Sequence, residues 1–203
     1  MSGHHAFARA VCVALFCGGG LSGCVAALGA GALATTGASV AQERSTRQAM
    51  TDSEIRLTIN NKLLSEDYAL FADISTEVVE GRVLLAGSVP EPQQKIRAAE
   101  LVWSTPDVAE LVNEITVSDD EGAQSYAEDV WISTKLRTKL IGDKYIASIN
   151  YNVETVNQVI HLIGVARSER ELERVVNHAR GIDGVKEVVS HVLLKHDERR
   201  VAG

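Results

Sequence analysis

The chain has 203 residues, enough for one ordinary domain or two small ones beside a leader, with 45% hydrophobic, 4% aromatic and 23% charged residues. With so few aromatics, any core must be built from Ala, Val, Leu and Ile. The formal charge of −7 excludes a general nucleic-acid binder, which gains affinity by setting Lys and Arg against phosphates. That charge is uneven: residues 51–120 hold 14 acidic and 5 basic side chains, and residues 121–203 hold 12 of each, so the second half is the better suited to an anionic surface.

Residues 1–23 read as a leader. Arg9 lies in a short polar start with His4 and His5, followed by an apolar run from Ala10 to Phe16 that is too short to span a bilayer, which takes about 20 apolar residues. The run is followed by Leu21-Ser22-Gly23-Cys24, which resembles a lipobox: an aliphatic residue, two small ones, then the cysteine that is diacylated before cleavage. Cys12 and Cys17 fall in the removed segment, so the processed chain keeps Cys24 alone, and a disulfide within it is excluded. Two or three acyl chains on Cys24 give durable anchoring where one gives marginal binding. Val25 follows in place of Asp, which by the sorting rule of enteric bacteria directs the protein to the outer membrane, facing the periplasm. Residues 24–50, rich in Ala and Gly and then polar, read as a flexible tether.

The remainder is a repeat. Shifting the chain by 77 residues aligns 51–118 with 128–195 without a gap: Asp52 meets Asp129, Ile55 meets Ile132, Lys62-Leu63 meets Lys139-Leu140, Tyr68 meets Tyr145, Gly87 meets Gly164 and Arg97 meets Arg174. The domains are placed at 51–120 and 125–196. Each copy reads helix, strand, strand, helix, strand. Ile55, Ile59 and Leu63, and Ile132, Leu136 and Leu140, repeat at helical spacing, after capping boxes read at Thr51/Glu54 and Ser125/Glu128. A hairpin follows, turning at Glu80-Gly81 or at Asn157-Gln158, where the missing glycine leaves the turn type open. Gly87 and Gly164, inside the second strands, mark a close approach of backbone, expected to come from the second helix. That helix starts at Pro92 in one copy and at a Ser168/Glu171 box in the other, and ends before Pro106-Asp107 and Asp183-Gly184.

No catalytic constellation is present: the remaining cysteine is taken by lipid, no glycine-rich phosphate loop follows a strand, and His161, His178, His191 and His196 have no metal-ligand spacing. The chain is therefore read as a non-enzyme with no cofactor and no metal. The copies differ in one telling way. Trp131, Lys135 and Lys139 share a stripe of the first helix of copy two, offset from its core stripe and flanked by Arg137, whereas copy one has Glu54, Thr58 and Lys62 there. Trp beside cations suits a membrane interface; packing of Trp131 between the domains is the competing reading. Trp103, late in a second helix beside Val102, is expected in a core or between domains. In the second strand of copy two, Val159, Ile163 and Val165 make the face opposite Ile160 and Leu162 apolar as well, which predicts that the uncovered side of the sheet packs on the first domain or on a partner.

The strand motifs Val83-Leu84-Leu85-Ala86-Gly87 and Ile160-His161-Leu162-Ile163-Gly164, with the tails Asp107-Val108 to Val112-Asn113-Glu114 and Gly184-Val185 to Val189, resemble the BON domain, an αββαβ module of bacterial envelope and osmotic-stress proteins. Lipobox, tether and two copies together resemble the DolP (YraP) family of outer-membrane lipoproteins. The resemblance implies an α+β fold of two tandem BON domains, each a three-stranded mixed sheet with two helices on one face. It also implies anionic-phospholipid binding through the first helix of copy two, in support of envelope integrity. The alternatives are a protein-interaction scaffold for outer-membrane assembly proteins and a periplasmic stress holdase.

Overall fold

The computed structural model describes residues 45–118 and 123–200, the side chains of 123–125 aside. The leader, Cys24 and the tether up to residue 44 lie outside the described residues. Along the chain run α1 (Thr46–Glu66), a short α2 (Tyr68–Asp73), β1 (Ile74–Val79), β2 (Arg82–Val89), α3 (Pro92–Trp103) and β3 (Glu110–Val117). The second copy follows with α4 (Ala123–Gly142), a 3-10 turn at Ser148–Asn150, β4 (Tyr151–Val156), β5 (Val159–Ala166), α5 (Glu169–Arg180) and β6 (Glu187–Leu194). No described helix is long and apolar enough to cross a membrane.

Both copies build the same mixed sheet. β2 sits in the middle, antiparallel to β1 and parallel to β3, and β5 holds the same place between β4 and β6. The helices cover one face. Ile55, Ile59 and Leu63 of α1 and Ala98 and Val102 of α3 meet Val83, Leu85 and Ile115, while Ile132, Leu136 and Leu140 meet Ile160, Leu162, Val175 and Ala179 in the second domain. The two helices of each pair are also tied at equivalent places: Arg97 holds Glu66 through two 2.9 Å bonds, and Arg174 holds Asp143 at 2.6 Å.

Local chemistry corrects several expectations. α1 begins five residues before Thr51: Ser45 accepts from the Gln48 amide and Gln48 reaches back to the Ser45 amide, a full capping box that makes the last residues assigned to the tether helical. α4 starts at Ala123, so Ser125 lies inside that helix and not at its cap. Ser168 does cap α5, but the Glu171 carboxylate turns away to the amides of Ala147 (2.7 Å) and Arg167 (3.1 Å). The two hairpin turns share one type. Glu80 and Gly81 have φ of 56° and 73°, Asn157 and Gln158 have 51° and 68°, and positive φ at both central residues defines the I′ turn that matches strand twist. A buried aspartate stabilises each turn from the first helix. Asp52 accepts from the Glu80 and Gly81 amides at 2.9 Å, and Asp129 accepts from those of Asn157 and Gln158 at 2.7 Å. The Asp129 carboxylate holds Gln158 in a conformation that otherwise favours glycine.

The glycines inside the strands are not pressed by the second helix. A Cβ on Gly87 would stand 2.1 Å from the Asp73 carbonyl oxygen, and one on Gly164 2.1 Å from that of Asn150. The approaching backbone is the entry to the neighbouring strand, where the open end of the hairpin pinches together.

The helix-free faces of the two sheets lie against each other. Val79 and Leu84 pack on Ile163 and Val165, all four buried, with Val112 at the margin. Polar contacts surround this apolar centre: Asn152 donates to Glu77 at 2.7 Å, Arg82 donates to the His191 carbonyl at 3.0 Å, and Arg200 closes a buried ion pair on Glu80 at 2.6 and 2.9 Å. The uncovered side of the second sheet is thus covered by the first domain.

Candidate functional site

Helix α4 turns its buried stripe of Asp129, Ile132, Ser133, Leu136 and Leu140 inward, which sets Trp131 on the outer side. The indole is 48% exposed and does not pack between the domains. One turn on, the Lys135 ammonium sits 4.2 Å from the centre of the ring, a cation–π contact worth about 0.5–1 kcal/mol at an exposed site. Lys139, one turn further, is half-buried on the same side. Neither lysine has an acidic partner among the described residues.

Arg137 does not belong to this group. Its guanidinium donates to the Val153 carbonyl and lies 3.7 Å from Glu154, on the flank of α4 that faces β4. Spacing along the helix explains the split. Six residues of an α-helix carry Arg137 about 120° away from Trp131, whereas steps of four keep Lys135 and Lys139 close to it. Exposed apolar side chains that the sequence analysis did not single out extend the helix surface: Val130 at 47% and Ile141 at 74%, with Tyr145 at 58% just beyond the helix. Ile141 follows the core residue Leu140 directly, so its hydrophobicity alone could not tell inside from outside.

The first domain presents a different surface at the equivalent place. Glu54 and Thr58 take the positions of Trp131 and Lys135. Lys62, equivalent to Lys139, donates to the Ser104 carbonyl and hydroxyl at 2.8 Å and to the Thr105 hydroxyl at 3.0 Å. Its charge thereby satisfies the C-terminal end of α3, as cations at helix ends do.

Trp103 is the opposite of what its neighbour Val102 suggests: it is 57% exposed. With Pro92, Lys95, Ile96, Asn113 and Val117 it lines an open groove of about 710 Å³ between α3 and β3. Histidine spacing along the chain gives no metal set, but space does bring three ligand residues together. Glu114, His161 and His191 offer ligand atoms that all lie within 4.8 Å of one another.

Comparison with known proteins adds a family. The BON domain family matches residues 51–119 and 128–195. The outer membrane lipoprotein DolP of Haemophilus influenzae is 31% identical over 83% of this chain and 87% of its own length. The osmotically-inducible protein Y of Escherichia coli is 28% identical over 72% of this chain and 74% of its own. An uncharacterised protein in the gshII 5' region of Anaplasma centrale is 37% identical over 73% of this chain and 98% of its own.

Proposed function

The chain belongs to the dual BON-domain, DolP/YraP-like family, and on that premise we propose that it is a non-enzymatic outer-membrane lipoprotein, anchored through acyl chains on Cys24 and binding anionic phospholipid through its second domain in support of envelope integrity. The observation that carries the binding proposal is the exposed Trp131 ring with Lys135 over it and Lys139 one turn on, set against Glu54, Thr58 and a hydrogen-bonded Lys62 in the first copy. A ring at headgroup depth supplies amphipathic contact, and basic residues at the surface of an anionic leaflet contribute about 1 kcal/mol each. Acidic Glu54 would repel the same lipids. Attachment and recognition are then separate: the anchor is permanent, and the helix contact is weaker and selective for charge.

The test uses the full chain carrying Cys24→Ala, which removes the acylation site, and Trp103→Phe, which leaves Trp131 as the reporter. Vesicles of phosphatidylglycerol in phosphatidylcholine are expected to shift Trp131 emission to the blue. Pure phosphatidylcholine should not, and Lys135→Glu with Lys139→Glu should abolish the shift. An emission spectrum indifferent to phosphatidylglycerol would refute the reading.

The groove of the first domain favours a second reading, as a protein-interaction scaffold. Ile96 at 60%, Trp103 at 57% and Val117 at 45% exposure form an apolar strip on the acidic domain. Loss of a co-purifying envelope protein on Trp103→Glu, with vesicle binding intact, would support it.

A further inference from the structure

Glu114 and His191 occupy equivalent positions of the two copies, 77 residues apart, on β3 and β6. Because the sheets pack through their helix-free faces, these equivalents meet: His191 Nε2 lies 2.8 Å from Glu114 Oε1. His161, on β5 beside β6, takes the position that Leu84 holds in the first copy, yet it is only 4% exposed, and its Nδ1 is buried without a hydrogen-bond partner. A buried imidazole nitrogen left unsatisfied carries a desolvation penalty that a leucine would avoid. Burial also lowers the pKa of this ring, which favours the neutral form that a metal can take.

We propose that Glu114, His161 and His191 form a binding site for a divalent transition metal of the zinc class, shared between the two domains. The donors are two imidazoles and one carboxylate, a set that zinc accepts at about 2.0–2.2 Å per ligand with a fourth position open to water. Their ligand atoms already lie within 4.8 Å of one another, so closing on an ion takes side-chain adjustments and no refolding. The His191–Glu114 contact would open by roughly half an ångström to the separation of two ligands on one tetrahedral zinc. The adjacent positive charge is answered locally: Arg82 pairs with Glu110 at 2.8 Å and fixes the backbone of His191 by donating to its carbonyl. The ligands come from both domains, so the ion would bind the docked arrangement more tightly than the separated one and stabilise it by mass action. The other close histidine–carboxylate pair among the described residues, His178 with Asp143, makes a poorer site because Arg174 shares the same Asp143 oxygen.

The test is zinc titration of the purified full chain by competition with a chromogenic chelator, repeated with cobalt to read the ligand type from the spectrum. One zinc per chain is expected on this site, with weak visible cobalt bands of nitrogen and oxygen ligation. Glu114→Gln, His191→Gln and His161→Leu should each weaken that binding by roughly tenfold or more, since each removes one of only three protein ligands. His178→Gln should leave it unchanged. His161→Leu installs the residue of the first copy, and its thermal unfolding without metal checks that the fold is intact. Zinc should raise the unfolding temperature of the wild type and not that of Glu114→Gln. Zinc affinity that is the same in wild type and in the Glu114→Gln/His191→Gln double variant would overturn the proposal, as would a cobalt spectrum dominated by thiolate charge transfer, which would put the ion on cysteine.

Discussion

Replacing Ile163 by Asp should separate the two domains without unfolding either. Ile163 is fully buried in the seam with Val79, Leu84 and Val165, whereas its neighbour Leu162 points to the helices and belongs to the domain core. Four buried aliphatic side chains at about 1.5–3 kcal/mol each give roughly 6–12 kcal/mol of gross apolar stabilisation, an upper bound because a separated state would still cover some of that surface. The substitution removes one of the four and sets in its place a carboxylate with no partner, whose desolvation costs several kcal/mol more. Together these losses approach the whole apolar contribution, leaving the polar contacts Asn152–Glu77, Arg82–His191, Glu114–His191 and Arg200–Glu80, which are at the margin of the seam and are not expected to hold the sheets together alone. The assay puts a specific protease site in place of residues 119–122, cuts the chain and passes it through a sizing column. Wild-type halves should travel together and Ile163→Asp halves apart, each keeping its circular dichroism. Wild-type halves that separate, or variant halves that stay joined, would refute the account of the seam.

Gly164→Ala should destabilise the second domain by roughly 3 kcal/mol, the upper part of the usual overpacking range, because the new Cβ would meet the Asn150 carbonyl at 2.1 Å and backbone cannot step aside as a side chain can. Chemical denaturation of the full chain would measure it, and a loss below about 1 kcal/mol would show that the strand entry is soft. Asp129→Ala should cost about 3 kcal/mol, from two hydrogen bonds to a charged acceptor, and Asp129→Asn, with one carbonyl oxygen, should fall between. Equal losses for Ala and Asn would argue against the amide contacts as the cause. Glu154 gives a pH dependence: burial raises its carboxyl pKa above the ordinary 4.5, with Arg137 opposing and Glu77 adding to the rise. Its contribution is therefore complete below the ordinary value and is lost as pH climbs through the raised one, so Glu154→Gln should flatten the fall in melting temperature from acid to neutral pH. An unaltered slope would count against it.

Much of this architecture was legible before any coordinates. The 77-residue register, the aliphatic stripes of Ile55/Ile59/Leu63 and Ile132/Leu136/Leu140, and the alternation in the second strands depend on local periodicity, and periodicity survives in the fold because each helix or strand buries one face. The stripe of Trp131, Lys135 and Lys139 was legible for the same reason, since steps of four keep residues on one side of a helix. Tertiary structure decided what periodicity cannot carry. It showed that Trp131 lies open under Lys135 and that Trp103 is exposed in a groove, since exposure depends on what other elements cover. It turned Arg137 toward β4 and Lys62 onto the end of α3, because long side chains go to the nearest unsatisfied carbonyl. It also joined the two sheets through their bare faces, bringing Glu114 of one copy against His191 and His161 of the other. Residues so distant in sequence have no spacing to betray them; only the docking of one repeat on the other makes them neighbours.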